Sequence, residues 1–532
     1  MEERVNGPRK FLLIVASIFT FTPLMFSSAT NIYITPDGSP QGSCTSNTQN
    51  PAWFNNASNW GSGNTQIGPG TTVLLCGTFT GTAGQQLLTV RGSGSSGSPI
   101  LIQFDTGTVL TAPYWSNTGA IGASGVSWIT IDGGSGGTIQ DTANGTTLKY
   151  QQPSTAINAL PCNNCEFRNL SIVNLYIHSG SACEIDQTQV NAIKFSGQNV
   201  LVHDNSIHDV GWSIWDDYGN NDTNHQIYNN DVWHSDHTII FAGNGLTGVN
   251  LDEQIYNNHV HDFSNWDTTA NCYHHDGLHA FGSPASPLVN LYVYNNQCDG
   301  SLGNNFNACW FMEGGIEGTP WSGNPNSYFA FFNNVGVTNN AHDLVEGGGF
   351  TGASGNNTLI ANNTMVGSGN SGDVAFDTNG TNVLFKNNAM TALGYYVQLN
   401  GFTVANPSTD FVSNVYAACA GYNCFNWTPI DTSGFSTWQS SCKCDSSNNM
   451  PASNSSYQAS LNLNTTYAPN SGSPVIGAGV NLTSLCAGSL VALCSDKNGT
   501  PRPTTGAWDV GAYQFSSSAP PSPPTGLSAV IQ

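Results

Sequence analysis

The stretch IYNNHVHD, residues 255–262, places two adjacent asparagines between apolar residues. The order apolar, any, Asn, Asn, any, apolar or small recurs in IYNNDVWH, VYNNQCDG, FFNNVGVT, IANNTMVG and FKNNAMTA, and VHDNSIHD has it with Asp in place of the first Asn. The second asparagines are Asn205, Asn230, Asn258, Asn296, Asn334, Asn363 and Asn388. Their steps of 25, 28, 38, 38, 29 and 25 residues indicate a structural repeat.

Each repeat also carries a second short apolar segment, such as TIIFAG (238–243) or GLHAFG (277–282). Short strands in so small a unit cannot bury an apolar face alone, so the repeats must stack as successive coils. Helical periodicity is absent. Asparagine tolerates the left-handed bend between two strands, and its amide can bond the equivalent asparagine one coil away. The pattern therefore predicts an asparagine ladder with a spacing of about 4.8 Å.

On these asparagine turns, residues 70–420 resemble the right-handed parallel β-helix of the pectate-lyase-like superfamily, built from generic parallel β-helix repeats. The resemblance implies an all-β solenoid with almost no helix. The stretch from SPVIGAG to DVGAYQF, residues 473–515, resembles the C-terminal tail of many secreted bacterial β-helix proteins. We expect it to close the last coil and hide an edge that could pair with another chain.

Both ends of the chain are predicted to lie outside this domain. Residues 1–29 combine a basic start, the apolar run 11–26 and small residues before Thr30, which indicates a signal peptide. An uncleaved membrane anchor is the alternative. The β-helix domain then covers 30–515, and 516–532 form a Pro/Ser-rich linker whose end resembles the start of a fibronectin type III module.

The net charge of the chain restricts the kinds of molecule that it can bind. Without residues 1–29 the chain keeps 8 of its 11 Lys and Arg and 31 of its 33 Asp and Glu, a net charge of −23. Such a surface repels nucleic acid and anionic lipid. We expect a secreted monomer that binds no nucleic acid and, once its signal peptide is removed, no membrane.

Fourteen cysteines, several close together, predict structural disulfides in an exported protein rather than metal or redox sites. Cys442 and Cys444 are separated by one residue, and we expect each to pair elsewhere.

All twelve histidines lie between His178 and His342, and CYHHDGLHAFG (272–282) contains three of them. Stacking would align them as a stripe along one side of the coils. In members of the superfamily with known activity, as the resemblance implies, the substrate groove runs along the first strand of each coil. Strand alternation places Ile193, Ile214, Ile239, Leu278, Trp310 and Val374 inward and Lys194, Trp215, Ile240, His279, Phe311 and Ala375 outward.

These outward positions supply the candidate site, because aromatic rings cover sugar faces and carboxylates transfer protons. The candidate catalytic residues are His275, Asp276, His279, Asp217 and Glu313. The candidate substrate-binding residues are Lys194, Trp215, Phe281 and Phe311. The alternative is that these side chains are merely solvated.

Three functions fit a secreted chain that acts on polysaccharide. A glycoside hydrolase needs two carboxylates, which Asp276 with Glu313 or with Asp217 would supply. Polygalacturonases of this superfamily carry four short motifs, as the resemblance implies. Only one of them, the Asp-Asp pair, is present here, at Asp216-Asp217.

A polysaccharide lyase of this superfamily uses Ca²⁺ and an arginine, as the resemblance implies. No arginine lies between Arg168 and Arg502. A calcium site would have to come from Asp216, Asp217 and Asp276. The third function is a non-catalytic adhesin or glycan-binding stalk.

Overall fold

A computed structural model describes residues 31–143, 152–176, 189–217, 222–242, 250–263, 275–281, 288–303, 306–313, 329–338, 342–350, 358–380, 382–445 and 457–516. The predicted signal peptide and all of the predicted linker except residue 516 lie outside these residues. No helix in the described part is long and apolar enough to cross a membrane.

Within the described residues, 14 strands form one sheet, which we call sheet I. Its strands are Asn31–Ile34, Thr48–Gln49, Thr72–Leu75, Ile100–Phe104, Ile129–Asp132, Glu166–Arg168, Leu201–His203, Gln226–Tyr228, Asn250–Tyr256, Leu288–Tyr294, Phe329–Phe332, Thr358–Ala361, Val383–Lys386 and Phe411–Val412.

A further 24 described strands form sheet II, and Val126–Ser127 pairs with Cys162–Asn163. The strands of sheet II are Thr78–Thr80, Leu88–Thr89, Val109–Ala112, Ile121–Gly122, Thr138–Asp141, Ser154–Ala159, Ser171–Leu175, Val190–Phe195, Ser206–Asp216, Asp231–Ala242, His259–His261, Asp276–Phe281, Gln297–Asp299, Ala308–Glu313, Val335–Val337, Asp343–Phe350, Thr364–Val366, Val374–Gly380, Ala389–Thr391, Tyr395–Phe402, Val415–Ala417, Phe425–Trp427, Ile430–Thr432 and Tyr457–Gln458.

The described helices are short, as the resemblance implied. The α-helices are α1 Pro51–Asn55, α2 Pro407–Asp410 and α3 Phe435–Cys442, and the 3₁₀ turns are Ala57–Asn59, Thr483–Leu485 and Gly488–Cys494.

The strands stack as the coils of a parallel β-helix, which confirms the predicted fold class. In sheet I, Ile227 lies opposite Val202 of the preceding coil and Ile255 of the following coil. Sheet II repeats this parallel register from coil to coil. Each asparagine corner joins a sheet I strand to the next sheet II strand, so the corner recurs once per coil.

The two asparagines of each pair divide the roles that the pattern predicted for both. The first residue takes the left-handed bend, with φ of 55° at Asn229 and 56° at Asn257. The second forms the ladder: Asn230 Nδ2 donates to Asn258 Oδ1 at 2.9 Å, and Asn258 Nδ2 donates to Asn296 Oδ1 at 3.0 Å. The ladder begins at Asn205, ends at Asp445 and is buried.

The predicted inward row is confirmed for five of its six members: Ile193, Ile214, Ile239, Leu278 and Trp310 share one register and are buried. The sixth position was wrong. Phe376, and not Val374, follows Val345 in this register. Ala375, expected to point outward, is buried in the main core. Consecutive buried residues, here Ala375 and Phe376, interrupt the alternation on which the prediction relied.

Aromatic side chains close the last described coil. Trp438 of α3 is fully buried, and its ring stacks on Phe425 at 5.0 Å and lies edge-on to Phe411 at 5.8 Å. Apolar burial of this kind removes the end of the core from water.

The C-terminal segment packs along the side of the coils, where it covers the corners of four of them. Each contact involves the first asparagine of a pair: Lys497 Nζ donates to Asn295 O, Asn333 Nδ2 to Ser495 O, Asn362 Nδ2 to Asp509 O and Asn387 Nδ2 to Val480 O. The left-handed corner turns these asparagine groups outward, so a second chain segment can satisfy them.

Disulfides pair twelve of the fourteen cysteines, all within the described residues: Cys44–Cys76, Cys162–Cys165, Cys298–Cys309, Cys419–Cys424, Cys442–Cys444 and Cys486–Cys494. The expectation that Cys442 and Cys444 pair elsewhere was wrong. Lys443 between them has φ of 59°, and this left-handed turn after α3 brings the two side chains together.

Candidate functional site

The candidate site lies on the outer face of the front strands, the name we give to the sheet II segments 190–195, 211–216, 237–242, 276–281, 308–313, 343–350, 374–380 and 395–402. Their register aligns one outer row, row B: Lys194, Trp215, Ile240, His279, Phe311, Glu346, Asp377 and Gln398. The first five members were predicted from alternation, and Glu346 and Asp377 were not.

A second outer row, row A, lies three residues before row B and contains Asn191, Trp212, His237, Asp276, Ala308, Asp343, Val374 and Tyr395. Strict alternation would put residues i and i+3 on opposite faces. Here they meet: the rings of Trp212 and Trp215 are 4.7 Å apart, and Asp276 lies 3.2 Å from His279. The front strands therefore break the alternation once between the two rows.

Three titratable side chains of rows A and B, together with two residues adjacent to row A in sequence, form one chain of contacts, the relay. His275 Nδ1 lies 2.6 Å from Asp236 Oδ1, and Asp236 Oδ2 lies 2.6 Å from His237 Nδ1. His237 Nε2 then lies 3.3 Å from Asp276 Oδ2, which is 3.2 Å from His279 Nδ1. Asp276 thus joins imidazoles from two adjacent coils.

Neighbouring charges keep two members of the relay, His237 and Asp236, ionised at neutral pH. Burial would lower the pKa of His237, but the carboxylates of Asp236 and Asp276 outweigh it and raise that pKa to about 10. Burial would raise the pKa of Asp236, but His275 and His237 hold it well below its ordinary value. At neutral pH, His237 is therefore an imidazolium between two carboxylates.

Asp343 follows Ala308 in row A and differs from Asp276 in its surroundings. Burial, and the negative charges of Glu346 and Asp377, raise the pKa of Asp343 to about 8. Its carboxyl group is therefore mostly protonated at neutral pH and can donate a proton. Asp276 and Asp343 belong to coils on either side of Ala308, whose small side chain separates them in row A.

The aromatic and cationic end of row B borders a groove of about 470 Å³. Its walls include Asn117, Asn158, Gln189, Asn191, Lys194 and Trp215. Lys194 Nζ lies 3.5 Å from the centre of the Trp215 ring and 3.1 Å from Asp217 Oδ2. An aromatic ring surrounded by amides suits hydroxyl-rich ligands, because the ring covers an apolar sugar face and the amides bond hydroxyls.

The structure brings together only part of the predicted catalytic set. His275, Asp276 and His279 lie in the relay. The backbones of Phe281 and Glu313 pair with each other, five residues along the strand from Asp276, but their side chains lie outside the described part. At about 3.3 Å per residue, the backbone of Glu313 is some 17 Å along the sheet from that of Asp276, farther than the roughly 5–9.5 Å between the two carboxylates of a glycoside hydrolase.

The predicted calcium ligands are also separated. Asp216 is buried against His225, Asp217 is paired with Lys194, and Asp276 lies between two imidazoles. Asp276, with His237 and His279, offers two nitrogens and one carboxylate within 4.8 Å. Calcium prefers six to eight oxygen ligands, so these residues do not fit it.

Burial bears on the alternative that these side chains are merely solvated, which does not hold for most of them. Asp276 is 0% exposed, and His237 and His279 are each 5% exposed. Trp215, with Trp212 and Ile240, forms an apolar cluster on the outer face. Phe311, 4.8 Å from the His279 ring, is 9% exposed, whereas Lys194, Asp343 and Asp377 are half-buried.

Sequence reasoning missed several members of the site: Asp236, His237, Trp212, Asp343, Glu346 and Asp377. The signal was present for two of them, because WHSDH (233–237) places an Asp-His pair one coil before HHD (274–276). The others depend on the break between rows A and B, which a two-residue period does not show.

The charged state of His237 predicts how stability depends on pH. Its pKa rises from about 6.5 in an unfolded chain to about 10 in the folded one. The stabilisation is therefore complete below about pH 6.5 and is lost as the pH rises through 10. We expect the urea midpoint to fall between pH 7 and 10, and to fall less for His237→Gln. Equal slopes for both proteins would contradict this charged state.

Similarity to known proteins is distant. No family model matches the sequence, and no curated protein is similar to it. Among solved structures, the chain is similar to the crystal structure of pectate lyase Pel9A, with 14% sequence identity and a TM-score of 0.41. The match covers 92% of this chain and 97% of that one.

Proposed function

We propose that the protein is a secreted glycoside hydrolase that cleaves a neutral polysaccharide lying along rows A and B. One observation carries the proposal: a proton donor and a proton acceptor flank the coil that contains Ala308 and Phe311. Asp343 lies on one side of it, and the Asp276–His279 pair lies on the other. Six disulfides support an oxidising, extracellular location.

The proposed base is His279. Asp276 Oδ2 lies 3.2 Å from His279 Nδ1, which favours a proton on Nδ1 and a lone pair on Nε2 that can take a proton from water. The imidazolium of His237 contacts Asp276 from the other side. This arrangement fixes the tautomer and orientation that a general base requires.

The proposed acid is Asp343. It donates its proton to the glycosidic oxygen as the bond to the anomeric carbon breaks. The oxygen of a water molecule bonds to that carbon, and the water gives one of its protons to His279. Two coil spacings separate the donor and acceptor coils, about 10 Å, close to the 6.5–9.5 Å between acid and base in inverting enzymes. The spacing supports inversion of the anomeric configuration.

The negative charge of the site and of the whole chain favours an uncharged polysaccharide as the substrate. Asp343, Glu346 and Asp377 lie together on the open end of the rows, and the whole chain has a net charge of −22. A uronate carboxylate would be repelled there. Elimination would also need a cation beside that carboxylate, and Lys194 lies three coils from His279.

A panel of neutral and acidic polysaccharides tests the proposal with the mature chain. New reducing ends on a neutral glycan, without the ultraviolet absorbance of an unsaturated uronate, are the expected result. Unsaturated products from an acidic glycan would show that the reaction is elimination and not hydrolysis. Retention on a polysaccharide gel without any cleavage would instead identify a glycan-binding stalk.

A further inference from the structure

A second group of titratable side chains lies at the buried end of a front strand, away from the relay. Asp216 ends the strand Ser206–Asp216, and His225 immediately precedes the strand Gln226–Tyr228. Gln226 pairs with Gln254, so His225 lies beside Glu253 of the next coil. Asp222 comes from the connection between the two strands. We call Asp216, Asp222, His225 and Glu253 the corner cluster.

The corner cluster is tightly packed and sealed from solvent. Asp216, His225 and Glu253 are 0% exposed and Asp222 is 5% exposed. His225 Nδ1 lies 2.6 Å from Asp216 Oδ2 and 3.3 Å from Glu253 Oε2. Asp216, Asp222 and His225 each place a ligand atom within 4.8 Å of the others. Two carboxylates therefore contact one imidazole nitrogen, and Asp222 lies beside this group.

Among the described residues, none hydrogen bonds to Asp216 Oδ1 or to Glu253 Oε1, and Glu253 Oε2 has the His225 imidazole at 3.3 Å beside it. Buried carboxylate oxygens normally have donors, because leaving them without one costs the solvation that burial removes. The cationic group that contacts Asp216 and Glu253 is His225, and one imidazolium cannot balance three carboxylates. Either protons on these carboxyl groups or a bound cation must therefore supply the remaining positive charge.

His225 shows where that charge would lie. Its Nε2 is 2.6 Å from the backbone oxygen of Gly197, a contact that requires a proton on Nε2. In the metal-free chain, the 2.6 Å contact of Nδ1 with Asp216 Oδ2 places a second proton on the ring; loss of that proton on metal binding would direct the Nδ1 lone pair at the same carboxylates. A second-sphere bond from the other ring nitrogen to a backbone carbonyl is what orients metal-binding histidines.

We propose that Asp216, Asp222, His225 and Glu253 bind one divalent transition-metal ion that stabilises this corner of the β-helix. A donor set of one imidazole and three carboxylates matches Zn²⁺ or Mn²⁺. Such an ion would supply the remaining positive charge and occupy the orphan oxygens. It would also anchor the end of the strand that carries Trp215 and the neighbouring Asp217, without taking part in catalysis.

The mature chain, purified, treated with a chelator and dialysed against metal-free buffer, tests the proposal. One equivalent of Zn²⁺ or Mn²⁺ should bind and raise the melting temperature of the stripped wild-type protein. Co²⁺ should give visible absorption bands of a protein-bound ion. Glu253→Gln keeps the side-chain shape, and it should weaken binding by at least about 100-fold and abolish the metal-dependent increase in melting temperature.

Two controls separate this site from the other His-Asp groups. Asp231→Asn alters the group Asp231, His259 and His261, and His279→Gln alters the relay. Both variants should retain the tightly bound ion. Loss of the ion in either of them, with retention in Glu253→Gln, would overturn the proposal.

The opposite result has a distinct signature. If the carboxylates share protons instead of binding a metal, Glu253→Gln removes a like charge and should melt at the same or a higher temperature than wild type. The site would also be refuted if the melting temperature of the metal-stripped wild-type chain does not change when Zn²⁺, Mn²⁺ or Co²⁺ is added. This measurement needs no variant, so it holds even if Glu253→Gln does not fold.

Discussion

Replacing Asn258 with alanine is expected to lower the free energy of unfolding by at least about 3 kcal/mol, because several buried groups lose their partners at once. Asn258 is 1% exposed. Its Nδ2 donates to Ile227 O and Asn296 Oδ1, at 2.9 and 3.0 Å, and its Oδ1 accepts from the backbone and side-chain nitrogens of Asn230. Because these groups are buried, alanine leaves each of them without its partner in the ladder.

Urea unfolding of the mature chain measures the effect. Asn423→Ala is the matched control, since it removes one exposed hydrogen bond, from Asn423 Nδ2 to Asp431 at 2.9 Å. Its change should stay within about 0.5 kcal/mol. An Asn258→Ala protein as stable as this control would show that the ladder contributes little to the fold.

Replacing Asp343 with asparagine is expected to lower polysaccharide cleavage by about 100-fold or more without a loss of stability. The amide resembles the protonated carboxyl in shape and charge but cannot donate an acidic proton. The pKa of Asp343, raised to about 8, also predicts that wild-type activity declines above about pH 8, where the acid loses its proton. Removing its charge should leave the melting temperature unchanged or raise it.

Asp231→Asn is the control for this experiment. Asp231 lies 3.2 Å from both His259 and His261, at the start of the strand that carries His237 but six residues before row A, and its replacement should leave cleavage unchanged. His279→Gln, which removes the proposed base, should lose activity to a similar extent. Full activity of Asp343→Asn on a glycan that the wild type hydrolyses would exclude Asp343 as the acid.

Several features of the fold were predictable from the sequence. The repeated Asn-Asn pairs indicated the parallel β-helix, the corner and the ladder, because each coil solves the same local problem of bending a strand and satisfying its polar groups. Alternation also predicted the register that aligns Lys194, Trp215, His279 and Phe311. The prediction was wrong at Val374 and Ala375, where consecutive buried residues interrupt the period.

The site itself was predictable only in part. His275, Asp276 and His279 were identified from the concentration of titratable residues in one stretch. Their burial was not, and neither was their connection through Asp236 and His237, about 40 residues earlier in the chain. Asp343 was overlooked because its role depends on the row A register, which places it across Ala308 from Asp276.

The sequence by itself therefore determined the coil and the position of its corners, since a repeated local pattern is sufficient for both. Only the tertiary structure decided which side chains meet on the outer face and which are buried there. It also decided that Cys442 pairs with Cys444 and that the C-terminal segment lies along the asparagine corners. The physical reason is that these contacts depend on local breaks in strand alternation and on neighbours one or more coils away, neither of which leaves a periodic signal.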